Sequence, residues 1–466
     1  MWASTALSHV NLHIDVPISL SIEFDWRIFL YSFGMASLAG IVVGIVPALR
    51  MARANVNTVL HTGGCGMTKG RHWMRDTLVV LQIAGSLVML VVAGLFVRSL
   101  GALQTTDFGF KPDHVLNLSF DTALIGINDS PARDLTGNIQ AHLHQLPGVM
   151  AVSQASTVPM GYFIGTTATL TIDGAPLPAD AGALTAGYNV VSPEYFSVMG
   201  IDLLRGRGFT DGDNERSRDV AVISDGMAKK YWPNEDPFGH TFRIGSEKAR
   251  KIEVVGIARD VEFSSTRGDK SQPYFYLPYA QHVKENSFMT LQLKTQGDPL
   301  ALAPTAEKAI HDISPELPVF QVQSMEEALY SINGFLPFQI GATLAAMMGG
   351  LGLTLALIGL YGLISYAVSQ RVQEIGVRMA LGATRGSVFE MIYRQSMRIV
   401  AVGLGIGLAV ALLVAQGVGT LMIVSAWDPV TFATVVSALV LAALASCYLP
   451  ARRAMAVEPM VALRQD

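Results

Sequence analysis

The stretch from Gln370 to Arg398 is short, polar and enclosed by two long apolar runs, Leu344–Val368 and Ile399–Val424. An apolar run of about 20 residues is long enough to cross a bilayer as a helix. A polar stretch held between two such runs must therefore lie at one face of a membrane. Its five arginines outnumber its two glutamates, and basic residues collect on the cytoplasmic side of membrane proteins. The sequence therefore places this stretch at the cytoplasmic face.

The same stretch has the pattern of a short amphipathic helix. From Val372 onward, apolar residues recur every three or four positions, and Glu374 lies one helical turn before Arg378. Gly382 is expected to end this helix, and Thr384 to cap the next one, which continues into the membrane. The pattern fits two roles: a membrane-surface helix that only anchors the connection, or a coupling helix docked on a cytoplasmic motor. Geometry alone leaves both open.

The amino-acid sequence of this predicted helix resembles the signature of a known family. The run from Glu374 to Ala383 reads EIGVRMALGA and resembles the signature of FtsX-like permeases, the group that includes the MacB-type exporters and the lipoprotein-releasing permeases. The resemblance implies an ABC-transporter membrane subunit that transmits ATP-driven motion across the bilayer. It also implies which residues couple to the ATPase: Glu374, Gly376, Arg378, Gly382 and Arg385.

Three further apolar runs complete the predicted membrane domain: Ile28–Val46, Leu78–Val97 and Val430–Leu449. Basic residues between the first two runs place their connection in the cytoplasm and the N-terminus outside. Arg98, at the outer end of the second span, departs from this rule, and we interpret it as a single snorkelling arginine. The third span carries glycines that are expected to allow close helix packing: Gly349, Gly350, Gly352, Gly359 and Gly362.

We therefore predict an α-helical membrane protein, with a four-span FtsX-like unit, one extra N-terminal span and a large extracytoplasmic α+β domain. Residues 1–63 are expected to be the remnant of a preceding permease unit, and 64–104 a cytoplasmic linker and the second span. Residues 105–335 are expected to form the MacB-like extracytoplasmic domain, and 336–466 the FtsX-like domain with three spans and the coupling helix. The remnant is inferred from a repeat at an offset of 403 residues, seen in the pairs Asp25/Asp428, Pro47/Pro450 and Arg50/Arg453.

The exterior domain is acidic, whereas the rest of the chain is basic. From Thr105 to Tyr330 there are 28 acidic and 18 basic residues, against 9 and 15 in the remainder. This division fits opposite sides of a membrane and argues against nucleic acid as a partner of the large domain.

Short apolar strands and helices alternate through the exterior domain. Its first part predicts a strand, a helix and a second strand, a βαβ-type beginning. Two separate pieces, 112–180 and 287–323, are expected to pack together around an inserted piece, 185–283. This arrangement is what the resemblance to the MacB-type periplasmic domain implies. Within the inserted piece, Ser192 is expected to cap a helix that begins at Pro193.

Motifs for catalysis or cofactor binding do not occur in the sequence. There is no phosphate-binding Gly-x-x-x-x-Gly-Lys-Ser/Thr loop, no His-Glu-x-x-His metal motif and no Gly-x-Ser-x-Gly elbow. We therefore expect no enzyme and no cofactor, with ATP bound by a partner subunit. The acidic segment 211–215 has the composition of a calcium loop but not the spacing, which favours a solvated turn. The aromatic cluster at 274–279 favours a strand in the core over a ligand cage.

Three ionisable residues near the start of the fourth span, Glu390, Arg394 and Arg398, fit either coupling residues or ordinary interfacial anchors, and the sequence leaves this open.

Our functional prediction is a permease subunit of the MacB/FtsX type in the bacterial cytoplasmic membrane, with its large domain on the extracytoplasmic side. The expected partners are an ABC-type ATPase, membrane lipid, a second copy of the chain, and a periplasmic protein or exported substrate. The alternative is an ATP-independent, membrane-anchored receptor or scaffold. The cargo, the identity of the ATPase and the oligomeric state do not follow from the sequence.

Overall fold

The computed structural model of the chain describes most of the sequence from residue 69 onward. The described residues are scattered positions between 26 and 38 and the ranges 69–162, 166–172, 184–245, 249–264, 272–283, 287–370, 384–419 and 424–455. The predicted first span and the repeat that motivates residues 1–63 therefore lie largely outside the described residues.

Helices are numbered in chain order as α1 (Lys69–Gln104), α2 (Asp129–His144), α3 (Tyr195–Val198), α4 (Asp225–Tyr231), α5 (Pro299–Ile313), α6 (Met325–Ala328), α7 (Leu336–Gln370), α8 (Arg385–Gly419) and α9 (Pro429–Met455). In the described part of the chain, α1, α7, α8 and α9 are long and apolar enough to cross a membrane. The qualifying segments are Asp76–Gln104, Leu336–Ser365, Ser396–Gly419 and Pro429–Tyr448. These four segments correspond to the second to fifth predicted spans.

Strands are numbered in the same way as β1 (Val115–Asp121), β2 (Val149–Ala155), β3 (Thr166–Ile172), β4 (Leu184–Val191), β5 (Leu203–Gly206), β6 (Val220–Ser224), β7 (Thr241–Ile244), β8 (Ile252–Ala258), β9 (Tyr274–Pro278), β10 (Phe288–Thr295) and β11 (Val319–Ser324). Strand β1, helix α2 and strand β2 follow one another along the chain in the predicted order. The βαβ-type beginning is therefore confirmed as β1, α2 and β2.

The outer pieces of the domain form a four-stranded antiparallel sheet in the order β11–β1–β10–β2. Helices α2 and α5 contact each other and pack against this sheet. The chain order is strand, helix, strand, then strand, helix, strand, which is the ferredoxin-like arrangement of two split βαβ units. Leu116, Leu118 and Phe120 of β1 belong to one core cluster, with the spacing of two that a strand imposes on the side chains of one face.

The inserted piece closes into a small barrel. Its strands pair in the ring β4–β3–β7–β8–β6–β9, and β9 returns to β4 as a parallel neighbour. Closure leaves no unpaired edge along the ring, and aromatic side chains fill the interior. Phe275 is fully buried between Phe242 and Tyr188, with ring centroids 5.1 and 5.4 Å away.

Two local predictions in this domain are wrong. β3 was expected in the outer piece, but it pairs with β4 and β7 and belongs to the barrel. Ser192 does not cap a helix, because its hydroxyl accepts a hydrogen bond from the backbone N–H of Gln154, at 3.2 Å. Helix α3 begins instead at Tyr195. Strand pairing decided both positions, and local sequence patterns do not carry that information.

A second apolar cluster lies where the membrane helices meet the domain, and we call it the junction core. It joins Leu103 near the end of α1 and Phe338 near the start of α7 to the aromatic residues of the domain. Other buried members include Phe108, Phe110, Tyr195, Phe196, Tyr276 and Phe335.

Candidate functional site: the coupling region

Most of the predicted coupling helix falls in residues 371–383, which lie outside the described residues. Glu374, Gly376, Arg378 and Gly382 are in that range. Arg385 is the first residue of α8. The structure therefore describes the two helices that the coupling stretch connects, and the roles of the five residues stay predictions.

The start of α8 has the predicted cap. The hydroxyl of Thr384 accepts a hydrogen bond from the backbone N–H of Ser387, at 3.3 Å, while the Ser387 hydroxyl donates to the Thr384 carbonyl oxygen, at 2.7 Å. Side-chain oxygens in this position satisfy amide groups that have no partner within the helix. The cap predicted at Thr384 is confirmed, while Gly382, the predicted end of the coupling helix, lies outside the described residues.

Glu390, Arg394 and Arg398 lie at successive turns along the exposed side of α8. They line an open cleft of about 510 Å³ together with Ser387 and Met391. The cleft begins before the membrane segment at Ser396. A charged cleft at this level fits a docking contact and an interfacial anchor equally well, so both interpretations stay open.

Helix α1 is the centre of the membrane domain, because α7, α8 and α9 all pack against it. Glycines allow the closest approaches. A Cβ atom added to Gly341 would lie 2.7 Å from the ring of Phe96, and one added to Gly349 would lie 2.9 Å from Leu90. The hydroxyl of Ser86 donates to the Gly349 carbonyl oxygen at 2.9 Å, which fixes α1 against α7 in the middle of the span.

The predicted glycines of the third span divide into two groups. Gly349, Gly352 and Gly359 face α1, whereas Gly350 and Gly362 have no described atom within 4 Å of an added Cβ. Close packing through the first group is confirmed, and it occurs within one chain.

Helix α8 also packs closely against α1 at glycines. Added Cβ atoms at Gly403 and Gly407 would lie 3.0 Å from Ile83 and 2.8 Å from the Cα of Ala84. Helix α9 contacts α7 through a polar group, because the hydroxyl of Ser446 donates to the Leu357 carbonyl oxygen at 2.9 Å.

Arg98 is not a lone snorkelling charge. Its Nη1 lies 2.8 and 2.6 Å from the two carboxylate oxygens of Asp428, the residue before α9. Asp428 also accepts hydrogen bonds from the backbone N–H and the hydroxyl of Thr431. Burial by itself would raise the pKa of Asp428, but the contacts with Thr431 and Arg98 outweigh it and hold the pKa below its usual value. The signal for this pair in the sequence was the arginine that broke the charge rule.

Aromatic contacts hold α1 and α7 together as they leave the membrane. Phe96 meets Phe338 edge to face with ring centroids 6.3 Å apart, and Phe108 lies 6.0 Å from Phe335. Such pairs contribute about 0.5–1.5 kcal/mol beyond the area they bury. The junction core therefore binds both helices to the extracytoplasmic domain.

Polar contacts add a second link at the same junction. The Ser331 hydroxyl donates to the Met160 carbonyl oxygen, and the Asn333 amide donates to the Gly161 carbonyl oxygen at 2.7 Å. Ser331 and Asn333 are both buried and come just before α7. Sequence patterns gave no sign of these contacts, because their partners are 171 and 172 residues away.

The acidic segment 211–215 is not wholly solvated. Asp213 is buried. Its carboxylate accepts hydrogen bonds from both terminal nitrogens of Arg207, at 2.7 and 2.9 Å, and from the backbone N–H of Thr210. Burial would raise the pKa of Asp213, but hydrogen bonds from Arg207 and Thr210 lower it overall. No group of three or more potential metal ligands occurs among the described residues.

The aromatic cluster at 274–279 lies in the core, as the sequence favoured. Every residue of β9 is buried, and Tyr279, directly after it, is buried as well.

Two family profiles match the chain. The MacB-like periplasmic core domain matches residues 77–309, and the FtsX-like permease C-terminal domain matches residues 346–459. The first match begins within α1 and covers the domain as far as α5, and the second covers most of α7, all of α8 and α9.

Several similar proteins are named as ABC transporter permeases or as ATP-binding/permease proteins. The uncharacterized ABC transporter permease YknZ of Bacillus subtilis is 27% identical over 60% of this chain and 70% of its own length. The macrolide export ATP-binding/permease protein MacB is 28% identical in Escherichia coli, over 60% of this chain and 44% of its own length. MacB of Neisseria meningitidis is 24% identical, over 56% of this chain and 41% of its own length. The chain thus spans less than half of these two MacB proteins.

The crystal structure of the periplasmic region of MacB from Actinobacillus actinomycetemcomitans aligns with 48% of this chain and 94% of its own, at 15% identity and a TM-score of 0.33. The first family profile alone covers half of the sequence, and the second covers the membrane helices that follow. The chain therefore belongs to the FtsX-like permeases of ABC transporters that carry a MacB-like periplasmic core domain.

Proposed function

We propose that this chain is the permease subunit of an ABC transporter and transmits ATP-driven motion from a separate ATPase to its extracytoplasmic domain. The observation that carries this proposal is α1. It is one uninterrupted helix of 36 residues, about 54 Å long at 1.5 Å per residue. It extends from the far side of the membrane segment into the junction core. A displacement at its inner end therefore moves the domain.

ATP binding is assigned to the partner subunit, and this chain acts without catalysing a reaction. The names of the MacB relatives combine ATP-binding and permease functions in one protein, whereas YknZ is named a permease alone. We place the contact with the ATPase at the coupling helix. The proposed contact residues are Glu374, Gly376, Arg378, Gly382 and Arg385.

The proposed orientation follows the charges. The basic coupling stretch faces the cytoplasm of a bacterium, and the acidic domain of residues 105–335 lies outside the cytoplasmic membrane. The domain would act there on an exported substrate or a periplasmic partner. The described helices offer few polar side chains for an aqueous pore, which favours reshaping or pulling a substrate outside the membrane.

We further propose a homodimer bound to two ATPases, because an ABC transporter presents two docking sites. The glycines of α7 that face α1 are occupied within the chain. Gly85 of α1 and Gly350 of α7 have no described atom within 4 Å of an added Cβ, so they support contact with a second copy. The mass of the complex in detergent tests this, and a strictly monomeric chain bound to one ATPase would reject it.

Purification of the tagged chain in mild detergent tests the function directly. We expect an ABC-type ATPase to co-isolate in a fixed ratio and to hydrolyse ATP. Reproducible absence of any ATPase would contradict the proposal and favour an ATP-independent receptor or scaffold. An Arg216→Gln variant, altered at an exposed arginine of the domain, should co-isolate the ATPase as the unmodified chain does.

A further inference from the structure

The contact between Arg98 and Asp428, which we call the outer ion pair, joins two different helices at the outer end of the membrane domain. Arg98 belongs to α1 and Asp428 directly precedes α9. Near it, an added Cβ at Gly94 would lie only 2.7 Å from Thr431. The two helices are therefore in close contact at this level.

The aspartate is fixed from both sides. The side chain of Asp428 is 11% exposed. Its carboxylate accepts hydrogen bonds from the backbone N–H of Thr431, at the start of α9, and from Arg98 of α1. Removing Arg98 leaves the largely buried charge of Asp428 poorly compensated, whereas the side chain of Arg98 is itself 43% exposed and reaches solvent. A charge held this tightly keeps a specific position, unlike a mobile surface ion pair.

The outer ion pair connects two paths through the molecule. Toward the outside, α1 continues for six residues to Gln104, and Leu103 is fully buried in the junction core. Toward the inside, the chain before Asp428 leads back to α8, which ends at Gly419. Helix α8 begins at Arg385, directly after the predicted coupling helix. The outer ion pair thus links the chain that follows α8 to α1, which continues into the junction core.

The outer ion pair can prevent sliding along the helix axis, which the glycine contacts between α8 and α1 do not. Gly403 and Gly407 let α8 approach α1, and helices packed in this way can still slide past each other in shear motions. Two charge-assisted hydrogen bonds of 2.6 and 2.8 Å tolerate little displacement, because the interaction depends on donor–acceptor distance and angle.

We propose that Arg98 and Asp428 are positioning residues that lock the α8–α9 connection to α1. A displacement of α8 that begins at the coupling helix then reaches the extracytoplasmic domain through α1. This inference rests on the proposed ATP-driven function, and it assigns the point at which motion passes between helices.

The test measures ATP-dependent change at the junction. Ile332, 59% exposed between Ser331 and Asn333, is replaced by cysteine in a chain carrying Cys65→Ser and Cys447→Ser. The complex with its co-purified ATPase is labelled with a maleimide, with and without ATP. For the otherwise unmodified chain we expect ATP to change the labelling rate about fivefold or more, the lower end of ordinary coupling between sites.

Two variants then remove the ion pair with the least damage. Arg98→Ala removes the cation. Asp428→Asn removes the charge but keeps an oxygen that caps α9, since asparagine is as good an N-cap as aspartate. In each variant we expect the ATP-dependent change in labelling to fall to about twofold or less, while the ATPase still hydrolyses ATP. The double variant should be no worse than either single variant, because both act through one contact.

Matched changes in an exposed pair provide the control. Arg205 and Asp236 are 3.0 Å apart and more than half exposed. Arg205→Ala and Asp236→Asn should keep the full response to ATP. Full response in both outer-pair variants, or losses that multiply in the double variant, would overturn the inference while leaving the proposed function intact. If ATP changes nothing in the unmodified chain, both the proposed function and the inference are wrong.

Discussion

Gly407 provides a sharp test of the packing of α8 on α1. It is buried, and an added Cβ would lie 2.8 Å from the Cα and 3.1 Å from the carbonyl oxygen of Ala84. Both atoms belong to backbone and cannot rotate away. Gly405, two positions earlier, is exposed and has no described atom within 4 Å of an added Cβ. The same substitution, glycine to alanine, can therefore be compared at a crowded and an open position of one helix.

The expected magnitude follows from these distances. Ordinary contacts begin near 3.4 Å, so α8 must withdraw by roughly 0.6 Å, a gap that forfeits about a quarter of the local dispersion energy. Overpacking of this kind costs about 1–3 kcal/mol. Alanine favours a helix over glycine by about 1 kcal/mol, and this gain is common to both variants. The free energy of unfolding of Gly407→Ala should therefore lie about 1–3 kcal/mol below that of Gly405→Ala.

Denaturation of the purified chain in one detergent, followed by helical circular dichroism, measures this difference. We expect Gly405→Ala to unfold at or above the midpoint of the unmodified chain, and Gly407→Ala clearly below it. Equal midpoints for the two variants would show that α8 does not approach α1 through Gly407, and the packing described for the membrane domain would be refuted.

Three further predictions concern other parts of the chain. Asp213→Asn should lower the free energy of unfolding by about 1.5–3 kcal/mol at pH 7, since it removes the negative charge and replaces one of the two oxygens that accept from Arg207 by an amide group that cannot accept. Because the pKa of Asp213 is lowered from 3.8 on folding, this contribution is complete above 3.8 and disappears as the pH falls through the folded pKa, so unfolding curves of the two proteins should converge in acid. A constant difference down to acid pH would contradict this account. Glu374→Lys and Gly382→Val should insert normally but weaken association with the ATPase or its stimulation, and normal coupling in both would mean that the helix only anchors the connection. Cys65 should be protected from membrane-impermeant thiol reagents in intact cells while Ser271→Cys reacts, and the reverse pattern would refute the orientation.

The strands and helices of the domain were predictable because burial sets a short repeat along the chain. The alternation in β1 and the helical spacing in α2 are visible within single segments, and the structure contains both elements in the predicted order. The position of β3 was not predictable, because its membership of the barrel depends on pairing with β7, whose residues lie more than 60 positions away. Local propensity carries no record of such a partner.

The membrane domain also has some features that the sequence predicts and others that only helix packing decides. Length and apolarity of the runs determined the spans, since a bilayer demands about 20 apolar residues whatever their neighbours are. The glycines of α7 were visible in the sequence, but only packing decided that Gly349 faces α1 and that Gly350 does not.

The sequence by itself determined the class of protein: apolar runs fixed the spans, charge fixed the expected sides, and one ten-residue run identified the family. Tertiary structure alone decided which residues meet. Arg98 and Asp428 are 330 positions apart, and either one alone looks like an ordinary charge at a membrane surface. Their contact depends on how α1 and α9 pack against each other. That packing is set by the summed fit of many apolar side chains, which no single segment of the chain encodes.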